Sequence, residues 1–154
     1  MNKLNATRKY FFAAVKTQVK TISITGSAEG PASVKAVFDS NKKTVEESTP
    51  LELLLYSLIS CENATLRAIA KEKNVKLGVL NFKKADAVYD TKGFWGLDPN
   101  NKFSKIDLEM EIQSDANEEK MKEMLKLMKQ RCPIYNMLHL AGVEINANYS
   151  FKGL

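Results

Sequence analysis

Histidine occurs once in this chain, at position 139, and cysteine twice, at positions 61 and 132. A tetrahedral zinc shell draws on four such ligands, often in Cys-x-x-Cys pairs. Neither cysteine has that spacing, so a zinc site is excluded and no metal or cofactor is expected. A single histidine leaves no Ser-His-Asp set to nominate. Two cysteines without a secretion signal rule out the disulfide framework of a small extracellular domain. Arginine is also scarce, with Arg8, Arg67 and Arg131 the only three. No apolar run approaches the roughly 20 residues that a bilayer core demands.

Acidic residues are missing before Glu29, while Lys3, Arg8, Lys9, Lys16 and Lys20 precede it. The whole net charge of +5 therefore belongs to the N-terminal stretch, and the rest of the chain is balanced. Such a stretch can touch phosphate or anionic lipid, or flank an exposed strand, and the second reading is preferred. No nucleic-acid motif accompanies it, and neither a nucleic-acid nor a membrane partner is expected. Tyr10-Phe11-Phe12-Ala13-Ala14-Val15 after Arg8-Lys9 faintly resembles a signal h-region, but Lys16 ends it and no cleavage site follows. The expectation is a cytoplasmic protein, with an organellar transit segment left open.

What is present is the makeup of one soluble domain over residues 1–154, 44% hydrophobic and 27% charged. Alternation from Val15 to Ile24 predicts a strand, Gly26 to Pro31 a turn, and Val34, Ala36 and Phe38 a second strand ended by Asp39-Ser40-Asn41. Thr49 as N-cap, Pro50 at N1 and Glu52 at N3 predict a helix opened by a capping box. From Leu51 to Ile59 that helix is apolar nearly all round, which asks for burial on every side and so for a partner subunit. Asn74 is expected to end it. Strands follow at Val79 to Tyr89 and at Ile106 to Ile112. Between them a turn-rich loop carries Phe94 and Trp95, read as packing back onto the sheet in slight preference to a lid on a ligand pocket.

A further helix from Ser114 or Asp115 shows Met121, Met124, Leu125 and Met128 on one face, read as core. It breaks at Cys132-Pro133, where Pro133 suits N1 of a short helix and Cys132 its N-cap. Gly142 stops that helix, with His139 near its end, and alternation from Val143 to Phe151 predicts a closing strand. The order of elements says α+β.

A thiolate, not a thiol, attacks peroxides and disulfides. Cys132, at a helix start beside Arg131, has a source of thiolate stabilisation; Cys61, deep in its helix, needs a cation from another element. Arg131 would serve both sulfurs if they approach. In that case a thiolate takes oxygen from a peroxide, the second thiol condenses with the sulfenic acid, and an external dithiol resets the pair. Judged from cysteine count alone, two inert buried residues are the default reading.

Thr49-Pro50-Leu51-Glu52-Leu53-Leu54-Leu55, then Ser60-Cys61 and Ala64-Thr65-Leu66-Arg67, resemble the Pro-x-Glu-Leu-Leu…Cys helix of the osmotically inducible protein C / organic hydroperoxide resistance (OsmC/Ohr) family. Arg131-Cys132-Pro133-Ile134 resembles that family's second Cys-Pro motif. The resemblance covers nearly the whole chain. It implies an OsmC-like fold, antiparallel sheets wrapped around long central helices in an intertwined homodimer. It further implies a thiol peroxidase of peroxiredoxin-like, antioxidant activity on organic hydroperoxides, re-reduced by a dithiol or lipoyl-type reductant. Cys61 would be the peroxidatic cysteine and Cys132 the resolving one, assisted by an acidic residue near the helix start, here Glu52, and by an N-terminal arginine.

The chain departs from this pattern in three places. The hydroperoxide-specific branch has its glutamate one place earlier, where this chain has Leu51, so Glu52 is read as a helix cap or a catalytic acid. No N-terminal segment matches the arginine motif, for which Arg8 is a stand-in. Glu62 follows Cys61 and would raise a thiol pKa if it faced the sulfur. The rival expectations are a non-catalytic dimeric module of the same fold that binds a small molecule or lipid, and an adaptor that uses the basic N-terminus.

Overall fold

A computed structural model describes residues 18–30, 34–38 and 48–154. Arg8, the Tyr10–Val15 run, Lys16, Thr17, Pro31 and the Asp39-Ser40-Asn41 strand end lie outside them. The described elements run β1 (Val19–Ala28), β2 (Val34–Phe38), α1 (Pro50–Glu72), β3 (Leu77–Asp90), a 3-10 turn (Gly93–Trp95), β4 (Phe103–Ser114), α2 (Glu118–Arg131), α3 (Pro133–Leu140) and β5 (Glu144–Gly153). The strands form one sheet in the order β2-β1-β3-β4-β5.

The α+β class follows, with one correction. The sheet is mixed, because β5 runs parallel to β4 while the other pairs are antiparallel. A parallel neighbour needs a long return path, and α2 with α3 supplies it. A second correction concerns Gly26. The expected turn begins later, since β1 continues through Gly26 to Ala28, in register with Lys35 and Ala36 of β2. A Cβ at Gly26 would lie 2.5 Å from the Lys35 carbonyl oxygen, so the glycine serves a close strand approach rather than a turn.

Both ladders of β3 slip by one residue near Lys83. That bulge changes the parity of the strand, so Leu80 and Phe82 before it and Ala85 and Ala87 after it are all buried. With Ile24 and Ala28 of β1 and Phe103, Ile106, Leu108, Met110 and Ile112 of β4 they make the sheet's contribution to the core. The methionine stripe of α2 is buried in the same core.

The Thr49 capping box is present, with Glu52 N–H donating to Thr49 Oγ1 and Thr49 N–H donating to the Glu52 carboxylate at 2.7 Å. Asn74 adopts φ +53°, while Val75 N–H donates to the Ala70 carbonyl, a left-handed stop of the kind asparagine and glycine allow. Gly142, at φ +74°, ends α3 in the same way, with Val143 N–H on the Leu138 carbonyl. Along α1, Leu55, Leu58, Ile59, Leu66 and Ile69 are buried within the chain, whereas Leu51, Leu53, Leu54 and Tyr56 are half-buried. One chain thus covers one side of the apolar stretch. Among the described residues no helix is long and apolar enough to cross a membrane.

Candidate active site

Pro133 cannot continue α2, because it has no N–H, and it drives the residue before it into extended backbone. Cys132 accordingly adopts φ −73° and ψ 113°, ending α2 and opening α3. Its N–H still closes on the Met128 carbonyl at 2.8 Å, and its sulfur accepts the Tyr135 N–H at 3.4 Å. The Asn136 amide donates to the carbonyls of Lys129, Gln130 and Cys132 at 3.1, 3.1 and 2.9 Å. These bonds hold the bend between the two helices and so fix where the Cys132 side chain points.

It points at α1. Cys132 Sγ lies 3.0 Å from Cys61 Sγ, with the Cys132 thiol donating and both cysteines free. Cys132 is fully buried and Cys61 half-buried, so only the second residue keeps surface in solvent.

The helix start does not activate Cys132. Burial, then the hydrogen bond with Cys61, pushes its thiol up to about 12, outweighing the Tyr135 N–H. The expected dipole benefit exists but is the smaller effect, because taking a thiolate out of water costs more than one weak N–H···S contact returns. Glu62 adds to the opposition. It is fully buried, neither carboxyl oxygen has a hydrogen-bond partner among the described residues, and once ionised it works against ionising Cys132.

None of the described arginines serves the sulfurs. Arg131 pairs with Glu72 at 2.7 Å on the surface. Its neighbour Cys132 turns inward as Arg131 turns outward, so the expectation that Arg131 serves both sulfurs is corrected. Arg67 donates to Asn63 Oδ1 at 3.0 Å and to the Ala28 and Gly78 carbonyls at 2.9 Å, fastening α1 to β1 and β3. Arg8 is outside the described residues. Glu52 is occupied by its cap, and nine helical steps of roughly 1.5 Å each separate it from Cys61 along α1. The fold thus brings Cys61 and Cys132 together and leaves Glu52 apart from them within the chain.

Three neighbours escape a reading of the sequence. Tyr135 stands at the third position of α3, Tyr149 reaches in from β5, and Lys129 lies over both rings at 5.9 and 5.5 Å from their centroids. Burial, then Glu62, raises the pKa of each tyrosine. The Tyr149 hydroxyl, like Glu62, has no hydrogen-bond partner among the described residues. Tyr149 shows only as one member of an alternating strand, and nothing local ties it to a cysteine.

The Phe94–Trp95 loop lies elsewhere. Phe94 meets Tyr89 edge-on at 6.5 Å, but Phe94 remains 64% and Trp95 43% exposed, so their packing onto the sheet is partial. With Gln18, Lys20, Tyr89 and Thr91 they line an open hollow of about 410 Å³.

A mixed sheet carrying a long helix, whose central cysteine meets a second one at a Cys-Pro bend, marks a thiol protein of the α+β class. The chain belongs to the OsmC-like protein family, whose model matches residues 41–148. It is 29% identical to a hydroperoxide reductase of Mycoplasma genitalium over 130 residues, 78% of this chain and 88% of the relative. It is 31% identical to a hydroperoxide reductase of Mycoplasma pneumoniae over 110 residues, 70% of this chain and 74% of the relative. Its fold is similar to the crystal structure of an OsmC-like protein from Mycoplasma pneumoniae, with a TM-score of 0.58 at 23% identity, covering 90% of this chain and 98% of the other.

Proposed function

We propose that this chain is a cysteine-based peroxidase that reduces organic hydroperoxides through Cys61 and Cys132. The observation that carries the reading is the pair of free sulfurs 3.0 Å apart, one reachable and one sealed. The names of the two curated relatives point the same way.

Exposure supports one division of roles. Cys61, the cysteine that keeps surface in solvent, is the one a hydroperoxide reaches. As thiolate it attacks the outer peroxide oxygen; an S–O bond forms, the O–O bond breaks, and the alkoxide takes a proton and leaves as alcohol. Cys132 then attacks the sulfenic sulfur; the S–S bond forms, the S–O bond breaks, and water leaves. An external dithiol, small or lipoyl-type, returns both thiols by two exchange steps and leaves as its own disulfide.

The half-buried Leu51, Leu53, Leu54 and Tyr56 of α1 favour a homodimer in which a second copy covers that side. Glu52, remote from Cys61 along its own helix, enters the chemistry only across such a dimer.

The test is hydroperoxide consumption with dithiothreitol or dihydrolipoamide as reductant. Wild type turns over, Cys61→Ser does not, and light scattering gives the mass of two chains. Unchanged turnover in Cys61→Ser sinks the assignment.

The open hollow under Phe94 and Trp95 favours a second reading, a binding module for a small apolar molecule. Apolar ligand binding that persists in Cys61→Ser/Cys132→Ser, in a protein without peroxidase activity, would establish it instead.

A further inference from the structure

The scheme above leaves one buried acid unused. Glu62 is fully shielded from solvent and both its oxygens are unpaired among the described residues. A core site that needs only volume is filled at less cost by leucine or methionine, since an unpaired buried carboxylate is strongly unfavourable. The titratable groups that interact with it are Lys129 from α2, Cys132 from the bend, Tyr135 from α3 and Tyr149 from β5. Lys129 attracts the carboxylate from a distance while its ammonium lies over the two tyrosine rings, at 5.9 and 5.5 Å from their centroids. Glu62, next in sequence to Cys61, is thus buried within electrostatic reach of the Cys132 thiol.

Disulfide formation has two proton requirements, the first of them on a sulfur sealed from water. Cys132 must lose a proton, and the hydroxyl leaving Cys61 must gain one. We propose that Glu62 is the proton carrier of the disulfide-forming step, taking the proton of Cys132 on one carboxyl oxygen and giving its own, from the other, to the departing hydroxyl. The proposal rests on the peroxidase reading.

In that step the Cys132 sulfur lone pair forms the S–S bond, the S–O bond of Cys61 breaks, and water leaves. Glu62 ends protonated, as it began. Two unpaired oxygens on one carboxyl suit this double exchange. Burial, against a smaller pull from Lys129, moves Glu62 up to about 8, so at neutral pH it holds the proton it must give.

The experiment mixes reduced protein with cumene hydroperoxide, quenches in acid at intervals, and resolves thiol, sulfenic acid and disulfide forms by mass. In wild type the rate of disulfide formation is level at roughly pH 6–7 and falls above about 8 as Glu62 loses its proton. In Glu62→Gln, Cys61 oxidation is unchanged and the sulfenic acid accumulates. Disulfide formation in that variant is at least about tenfold slower at neutral pH and climbs with pH, since only preformed thiolate then attacks. Glu62→Asp restores part of the rate and the downward limb.

A Glu62→Gln rate equal to wild type overturns the proposal, and so does a slower rate with an unchanged pH profile, the mark of a packing role. If Glu62→Gln does not fold, the wild-type profile decides alone, and a rate that rises steadily through pH 8 overturns it. Wild type whose Cys61 is not oxidised at all takes the peroxidase reading down, and this inference with it. Normal Cys61 oxidation with normal resolution in Glu62→Gln removes this inference only.

Discussion

The two cysteines differ more in surroundings than their contact suggests. Cys61 stands on a continuous helix and keeps part of its surface in solvent, whereas Cys132 sits at a helix break and is sealed. The naive expectation favours Cys132 as the reactive sulfur, because a helix start offers N–H groups and a positive dipole end. Burial reverses that order. Solvation outweighs a single local contact whenever the charged form must leave water, so a residue's position on a helix is a poor guide to its acidity until its burial is known.

The most severe way to break the comparison is to exchange each sulfur for oxygen. Cys61→Ser is expected to lower hydroperoxide turnover by several orders of magnitude, while Cys132→Ser keeps one stoichiometric turnover that stops at the sulfenic acid. Equal losses at both steps would erase the distinction. Labelling sharpens it: with a limiting alkylating agent, peptide mass analysis should find Cys61 modified at least about tenfold faster than Cys132.

The sealed side also predicts a pH dependence of folding. Glu62 binds its proton more tightly in the folded chain, at about 8, than at the ordinary carboxyl value of 4.5. That stabilisation is complete below about pH 4.5 and is lost as pH rises through about 8, by up to a few kcal/mol. Urea midpoints across this window should fall in wild type and stay flatter in Glu62→Gln.

Arg67→Met removes three hydrogen bonds, two of which tie α1 to β1 and β3, and should cost about 2–3 kcal/mol. The rate of Cys61 alkylation should not change. A fall in that rate at constant fold would make Arg67 an activator of the open sulfur after all. The smallest effect belongs to Tyr149→Phe. Its hydroxyl has no partner among the described residues, so thermal unfolding should shift by no more than about 0.5 kcal/mol, in either direction.

Much of the scaffold was legible locally. Thr49, Pro50 and Glu52 announced the start of α1, Pro133 the bend and Gly142 the end of α3, because each acts through its own backbone within a turn. The methionine stripe gave the buried face of α2 through its spacing. Gly26 misled, since a glycine marks a turn or a close strand approach with the same letter. The parallel placing of β5 was hidden, as strand direction depends on where α2 and α3 return the chain. At the site the two cysteine motifs were visible, and their roles followed from resemblance. Lys129, Tyr135 and Tyr149 were not, because each is an ordinary member of its own periodic pattern.

What the sequence determined by itself is the set of helix starts and stops, the apolar faces and the inventory of two thiols without metal-ligand spacing. These are consequences of short-range sterics and hydrogen bonding. Only the tertiary structure decided that the thiols touch, that Arg131 turns away to Glu72, and that a buried acid lies within electrostatic reach of the sealed sulfur. Contacts between residues 71 positions apart are set by packing, and the ease of ionising a buried group is set by the water that packing removes.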